Sequence, residues 1–404
     1  MPIDNKLKED AVGYSVDTIN YICQNIPPRE AGSSAEKAAQ EYLAKELIDS
    51  RWADTAVLQP FTVSPKAFMG FSRIIPVLIA LGIILFYWLP WAPIAAGVLS
   101  LVVLVFEFIL YWRFLDPFYP KSTSHNLIAT KKPEGEVKRR IIFSGHIDAA
   151  YEWTIFYKFG KGVYLGGIVS AIIGLITGIV ISAISITYTR ASFEANFLWM
   201  IIVMAIFTPG YLSLFLYSNF NRVVPGANDN LTGCLTAVSV LKYLKEAKIS
   251  FANTEVVCLI TGSEEAGLRG AKAFTKEYSD YLKEVETVFV GLETFRDSEH
   301  MSIFAKDLSG TVKNDPKAVA LLDKAAALHF ENPLPHASVF LGATDGAAFT
   351  QAGIPACTLG AMDPAPANYY HTRRDTPDNL NPQCIGNAIS IAVSSVEVFD
   401  KQGL

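Results

Sequence analysis

Three stretches of this 404-residue chain carry no charged side chain: residues 74–106, 162–189 and 195–221. Apolar runs of that length exceed the needs of a core helix and reach the roughly 20 residues that cross a bilayer. The first is long enough for two passes once residues 108–112 are added. Trp88-Leu-Pro-Trp-Ala-Pro93 supplies the turn between them, with aromatics suited to the membrane interface. Four transmembrane helices, arranged as two hairpins, are therefore expected. Along the third of them small residues recur at every fourth position: Gly162, Gly166, Ser170, Gly174, Gly178 and Ser182. Such a row lies on one helix face and lets backbones approach closely in lipid, which predicts a helix contact within the bundle or a homodimer seam.

Outside these runs the pattern changes to short, β-branched, nearly uncharged segments alternating with amphipathic ones. Residues 255–261 read as a strand buried on both faces, as in a parallel sheet, and 140–146, 288–293, 56–63 and 124–129 as further strands. Ser33 followed by Glu36 has capping-box spacing ahead of a helix over 35–48, whose Ala39, Tyr42, Leu43 and Leu47 form one face. Another apolar helix is expected over 234–243. The alternation predicts an α/β fold, a mixed, mostly parallel sheet flanked by helices. The hairpins interrupt it. The expected organisation is a discontinuous catalytic domain of residues 1–70, 117–157 and 222–404, a first hairpin over 71–116 and a second over 158–221.

Composition agrees with this division. Hydrophobic residues make up 51% of the chain and the mean hydropathy is +0.28, high for a soluble protein and concentrated in the uncharged runs. A net charge of -5 without any basic cluster excludes nucleic acid as a partner and leaves the lipid bilayer as the expected one. The five scattered cysteines read as buried thiols of a reducing compartment. The first 24 residues are polar and lack a basic-then-apolar signal sequence. Lys66, Arg73, Arg113, Lys121, Lys158, Lys161 and Arg222 flank the spans on the side of the catalytic segments, whereas Arg190 alone lies on the other. Positive charge stays inside, so the expectation is a multi-pass protein of the bacterial plasma membrane with its catalytic domain in the cytoplasm.

Chemistry-bearing side chains gather where the strands end. Residues 259–270 read Leu-Ile-Thr-Gly-Ser-Glu-Glu-Ala-Gly-Leu-Arg-Gly, so Gly262 stops a strand and two adjacent acids, Glu264 and Glu265, follow it. Ligands bind beyond the carboxyl ends of strands in open α/β sheets, although Ser263 with two acids is also how a capped helix begins. The stretch Ser144-Gly-His146-Ile-Asp148 has the same shape, and two-residue spacing lets Asp148 take the second ring N–H of His146. Asp229, in a Gly- and Asn-rich turn, reads as a helix cap or as a metal bridge. Glu293 ends a further strand, and His371 lies in a polar loop before the last helix. Taken together, the histidines and acids suit paired zinc, which takes imidazole nitrogen and carboxylate oxygen and needs a shared ligand to hold two ions close.

At these residues the sequence resembles the cocatalytic zinc peptidases that include bacterial leucyl aminopeptidases and glutamate carboxypeptidase. The resemblance runs from Arg29-Glu-Ala-Gly-Ser33 through Gly145-His-Ile-Asp148, Gly226-Ala-Asn-Asp-Asn230, Ser263-Glu-Glu-Ala-Gly-Leu268 and Thr344-Asp-Gly346 to Tyr370-His371-Thr372, in the family's order. It implies two zinc ions bridged by Asp229, with His146 and Glu293 completing one site and Glu265 and His371 the other. It further implies Glu264 as the general base, Asp148 as the residue that orients His146, and a cis peptide bond after Asp229. Tyr370 is a candidate for holding the carbonyl oxygen or for packing. Glu293 stands where the aminopeptidases more often have Asp, and Thr344-Asp345-Gly346 lacks their frequent histidine. The implied activity is exopeptidase hydrolysis of small peptides, aminopeptidase first. The alternatives are a carboxypeptidase, an amidohydrolase or single-zinc cyclase on the same scaffold, and a peptide-binding membrane protein without hydrolysis.

Overall fold

The computed structural model describes residues 3–339, 341–365 and 367–404, and Met1, Pro2, Phe340 and Pro366 lie outside the described residues. The strands, in chain order, are β1 (Thr55–Val63), β2 (Ser122–Lys131), β3 (Arg139–His146), β4 (Tyr151–Glu152), β5 (Asn219–Val223), β6 (Thr254–Thr261), β7 (Glu286–Phe295), β8 (Met301–Asp307), β9 (Val312–Lys313), β10 (His336–Ser338) and β11 (Ala356–Ala361). The helices are α1 (Asn5–Asn25), α2 (Ser34–Asp49), α3 (Phe71–Leu85), α4 (Ala92–Val103), α5 (Thr154–Ser185), α6 (Arg190–Ala205), α7 (Thr208–Phe215), α8 (Thr232–Glu246), α9 (Arg269–Glu277), α10 (Ser279–Lys283), α11 (Pro316–Ala326), α12 (Asp345–Gln351) and α13 (Pro382–Gln402). They fall into two compact units. One comprises Met1–Pro65, Lys121–Ala150 and Val223–Leu404, the other Lys66–Pro120 and Tyr151–Arg222.

The first unit is a mixed sheet in the order β1-β2-β6-β3-β7-β11-β8-β10, with β9 paired to β8. Its middle four strands, β6, β3, β7 and β11, are parallel; β2 runs antiparallel to β6 and β1 to β2 at one side, while at the other β8 runs antiparallel to β11 and β10 parallel to β8. The parallel strands are the ones the sequence writes with few charges, confined to their ends, and every residue of β6 is buried. Helices cover both faces, so there is no polar side for these strands to turn towards water. Helix α8 is buried from Thr232 to Leu244 and packs on β3 and β7 beside α1 and α13. Its start comes very close to the sheet: a Cβ on Gly145 would lie 2.5 Å from the Cys234 nitrogen, and one on Gly233 would collide with the Leu292 carbonyl. All five cysteines are unbridged thiols, four of them buried.

The second unit is helical. Three helical segments are long and apolar enough to cross a membrane, Phe68–Leu85, Ala92–Ile109 and Thr154–Ser185. The expected fourth span is instead a bent pair, α6 and α7, which meet at 43°. The cause is Pro209 in the first turn of α7, which starts a helix readily and cannot continue one. Helix α5 is also kinked, at Gly160, whose φ of 76° lies outside the helical range. The outer surface is apolar: Val77, Leu81, Ile84, Val98, Leu99, Val169, Ile172, Ile173, Ile176 and Val180 are each between 48% and 63% exposed. A continuous face of that kind does not persist in water. The row of small residues divides. A side chain at Gly174 would collide with Tyr211 and Phe207, Ser170 abuts Gly210, and the Ser182 hydroxyl donates to the Pro90 carbonyl at 2.5 Å. A Cβ at Gly162 or Gly166 would meet nothing within 4 Å.

Candidate metal centre

Because β3, β6 and β7 are parallel neighbours, their carboxyl ends lie along one edge of the sheet. His146 closes β3 opposite Thr261 of β6, and Glu293 stands near the end of β7 opposite Gly360 of β11. The turn leading into α8 brings Asp229 to this edge, and the loop after β11 brings His371. The Asp229–Asn230 peptide bond is cis, as the resemblance implied.

Asp229 is central. Its Oδ1 lies 3.3 Å from His146 Nε2, and its Oδ2 lies 3.1 Å from His371 Nε2. Around His146 the Glu293 Oε1 is at 3.7 Å and the Glu264 Oε2 at 3.9 Å, whereas His371 Nε2 is 3.1 Å from Glu265 Oε1. Ligand atoms of His146, Asp229 and Glu265 all lie within 4.8 Å of one another. These six residues therefore meet, and Asp229, far from capping α8, turns one oxygen to each histidine.

The charge balance is one-sided. Four carboxylates surround two imidazoles in a site where His146 and Asp229 each keep only 4% of the side chain exposed. Burial alone would lower the histidines, yet Glu264 and its neighbours hold His146 well above the ordinary value, and Glu265 with Asp229 lifts His371 to about 10. Burial raises Glu264, Glu265 and Glu293. Burial would raise Asp229 too, but the two histidines hold it below the carboxylate range. Excess negative charge of this kind in a shielded cleft is what bound cations offset. Imidazole nitrogens and carboxylate oxygens are zinc's own ligand types, so the donor set fits that metal.

Asp148 differs from the sequence reading in detail. The His146 Nδ1 lies 3.1 Å from the Asp148 backbone carbonyl, while the Asp148 carboxylate is 3.7 Å from the ring. That carboxylate is engaged elsewhere, because its two oxygens accept the N–H groups of Glu264 and Glu265 at 2.9 and 3.0 Å. Asp148 thus orients His146 through its main chain and the glutamate turn through its side chain. The turn is not a helix start. Ser263 has a φ of 55°, and α9 begins only at Arg269. Tyr370 is partly exposed and stacks on His371 with ring centroids 3.9 Å apart, which fixes that imidazole's plane.

Four further residues, to which the sequence reading gave no role in the chemistry, shape the site. Asp375 accepts from the Asn228 N–H and side-chain amide, both at 2.8 Å, and from the Asp229 N–H at 3.1 Å. Burial, with Asp229 nearby, pushes it up to about 7. Asn230 donates to Glu293 Oε2 at 3.2 Å and accepts from the Thr294 N–H. The buried Arg29 ties the strand end to the Asp229 turn, donating to the carbonyls of Ile147 at 2.6 Å and Gly226 at 2.9 Å. The fourth is Glu36.

Residues 214–396 match the family model for peptidase family M28. The match contains Asp229, Glu264, Glu265, Glu293, Tyr370 and His371, while His146 and Asp148 precede it and join the others only through the fold. Among solved structures, the zinc aminopeptidase BSAP from Bacillus subtilis aligns with a TM-score of 0.57 at 15% identity, over 95% of this chain and 94% of that one. An aminopeptidase from Aneurinibacillus sp. strain AM-1 aligns at 0.54 and 16% identity, over 95% and 93%. A glutaminyl cyclase from Fimbriiglobus ruber gives 0.54 and 15%, over 98% and 96%. No curated protein matches the sequence. The fold is that of these neighbours, and the family match over residues 214–396 points the same way as the resemblance carried by the motifs.

Proposed function

We propose that the chain is a membrane-anchored zinc exopeptidase, an aminopeptidase acting on small peptides, with its catalytic unit on the cytoplasmic side and two zinc ions per chain. The observation that carries this reading is Asp229, whose two oxygens face the Nε2 atoms of different histidines at 3.3 and 3.1 Å. His146 and Glu293 would hold one ion, His371 and Glu265 the other, with Asp229 shared. Zinc held there would polarise a water and the substrate carbonyl. Glu264 is the acid left over from both sets of ligands. It would take the proton from the attacking water and return it to the leaving amine, as a general base does. Asp148 and Asp375 hold the two turns that carry these groups, and Tyr370 keeps the His371 ring in plane. The aminopeptidase assignment draws on the neighbours from Bacillus subtilis and Aneurinibacillus. A second reading, cyclisation of amino-terminal glutamine, is favoured by the glutaminyl cyclases among the fold neighbours.

The deciding experiment uses the purified full chain in detergent, with zinc counted and dipeptides offered free, N-blocked or C-amidated. Two zinc ions per chain, cleavage that needs a free amino end, and loss of activity on chelation with recovery on zinc addition are expected. One ion together with release of pyroglutamyl product would favour the cyclase. Glu264→Gln should keep its zinc while kcat falls by roughly 10²- to 10⁴-fold. Near-normal turnover in that variant would remove Glu264 from its role.

A further inference from the structure

The turn that presents Glu264 and Glu265 hangs on two buried carboxylates, and one of them stands apart from the metal donors. Asp148 takes the N–H groups of Glu264 and Glu265. The amide just upstream goes to a different acid: Glu36 Oε1 lies 2.7 Å from Ser263 N and 3.1 Å from Ser263 Oγ. The other oxygen, Oε2, accepts from the Gly32 N–H at 2.9 Å and the Ser124 hydroxyl at 2.7 Å. Three successive amides, 263 to 265, are thus each received by a carboxylate.

Glu36 occupies the third position of α2 behind the cap Ser33, whose hydroxyl accepts the Glu36 N–H at 3.1 Å. In a capping box the glutamate would return to the N–H of the cap residue. Here the Ser33 N–H is taken by the Glu30 carbonyl, which frees Glu36 to reach Gly32 on one side and Ser263 on the other. The fit around it is tight. Glu36 is fully buried, and a Cβ on Gly262 would lie 2.8 Å from Glu36 Oε1 and collide with the His125 carbonyl. Ser263 is held in the left-handed region, a conformation that persists in a side-chain-bearing residue only where its surroundings impose it.

We propose that Glu36 is a positioning residue for the general base: by fixing Ser263 it sets the direction in which Glu264 leaves the turn, and so contributes to turnover without touching metal or substrate. This rests on the peptidase reading above. A carboxylate is needed there because both of its ends must accept. Glutamine has the same shape but one accepting end. Whichever way it is placed, its amino group faces the N–H of Ser263 or that of Gly32, and a buried donor is left without a partner.

Glu36→Gln in the zinc-loaded full chain is therefore expected to lower kcat by roughly 10- to 100-fold, with KM and zinc content held within about twofold. In a Glu264→Gln background the same change should leave the residual turnover where it was, because the group it positions is gone. Loss of folded protein would instead lower both backgrounds by one factor, and that result overturns the proposal. Amide hydrogen exchange in peptides covering residues 259–270 supplies a readout independent of hydrolysis. Faster exchange confined to that stretch is expected in Glu36→Gln, and unchanged exchange there, or an acceleration shared by the whole sheet, overturns the positioning role. Should Glu36→Gln not fold, Ser124→Ala removes one of the four hydrogen bonds and is expected to give the same pattern at a severalfold effect; normal kcat and exchange in Ser124→Ala would count against the proposal. A wild-type chain that cleaves no peptide takes the peptidase reading down and this role with it, whereas failure of the variants beside an active wild type removes the role alone.

Discussion

Asp375 is the counterpart, on the Asp229 side, of what Asp148 is to the glutamate turn: a buried acid whose oxygens accept backbone N–H groups of the residues that face the histidines. Asp375→Asn leaves one of those donors facing an amino group. The expected cost is about 1–3 kcal/mol of stability in denaturant unfolding. Because the displaced residue is the proposed shared ligand, zinc affinity measured against a competing chelator should also fall by about 10- to 100-fold. Unaltered affinity would show that Asp229 needs no such support. The residues that meet at the site were legible in the sequence, because each sits at or near the end of a sparsely charged strand, in a Gly- and Asn-rich turn or in a polar loop. The residues that hold them were not. Arg29 acts on a carbonyl 197 positions away and Glu36 on an amide 227 positions away, and a backbone group has no letter in the sequence to announce it. Glu36 was visible only as part of a capping box, a local pattern that its side chain sets aside for a distant partner.

Among the elements, the strands were readable because burial on both faces leaves a plain signature, an apolar run with charge only near its ends, in β3, β6 and β7. The long apolar helices were readable from their lack of charge, but the shape of the last one was not. Hydropathy averages over Pro209, while the backbone breaks there into α6 and α7. The small-residue row of α5 shows a similar limit, since periodicity marks the face without saying how far along it a neighbour lies. The row is in contact from Ser170 and Gly174, against α7 and the residue before it, to Ser182, against Pro90, and not at Gly162 or Gly166. Gly174→Leu should therefore destabilise the helical unit by about 1–3 kcal/mol, read as a lowered unfolding midpoint in detergent. Gly166→Leu, where a side chain meets open space, should leave the midpoint unchanged. Equal effects at the two positions would mean that α5 and α7 pack differently.

For the whole molecule, each apolar insertion begins and ends in the segments that build the sheet, and the proposed topology follows from the basic residues at those junctions. Ser192, exposed near the start of α6, lies where the third span gives way to the bent pair, a position that the proposed topology puts across the membrane from the sheet segments. A Ser192→Cys variant without the native cysteines should react with an impermeant maleimide in intact cells. Protection until the cells are broken would put the active site outside. The sheet order carries a different kind of consequence. Strand β3, which ends in His146, has as its neighbours β6 and β7, which begin only at Thr254 and Glu286. A ribosome will therefore have released every apolar helix before β3 can find either partner. A largely apolar strand waits unpaired for that interval, and unpaired strand edges of this sort are prone to aggregate. On the proposed topology, delivery of the helices to the bilayer comes first in time, and the sheet is assembled afterwards on a chain already tethered at both insertions, where nascent neighbours are kept apart.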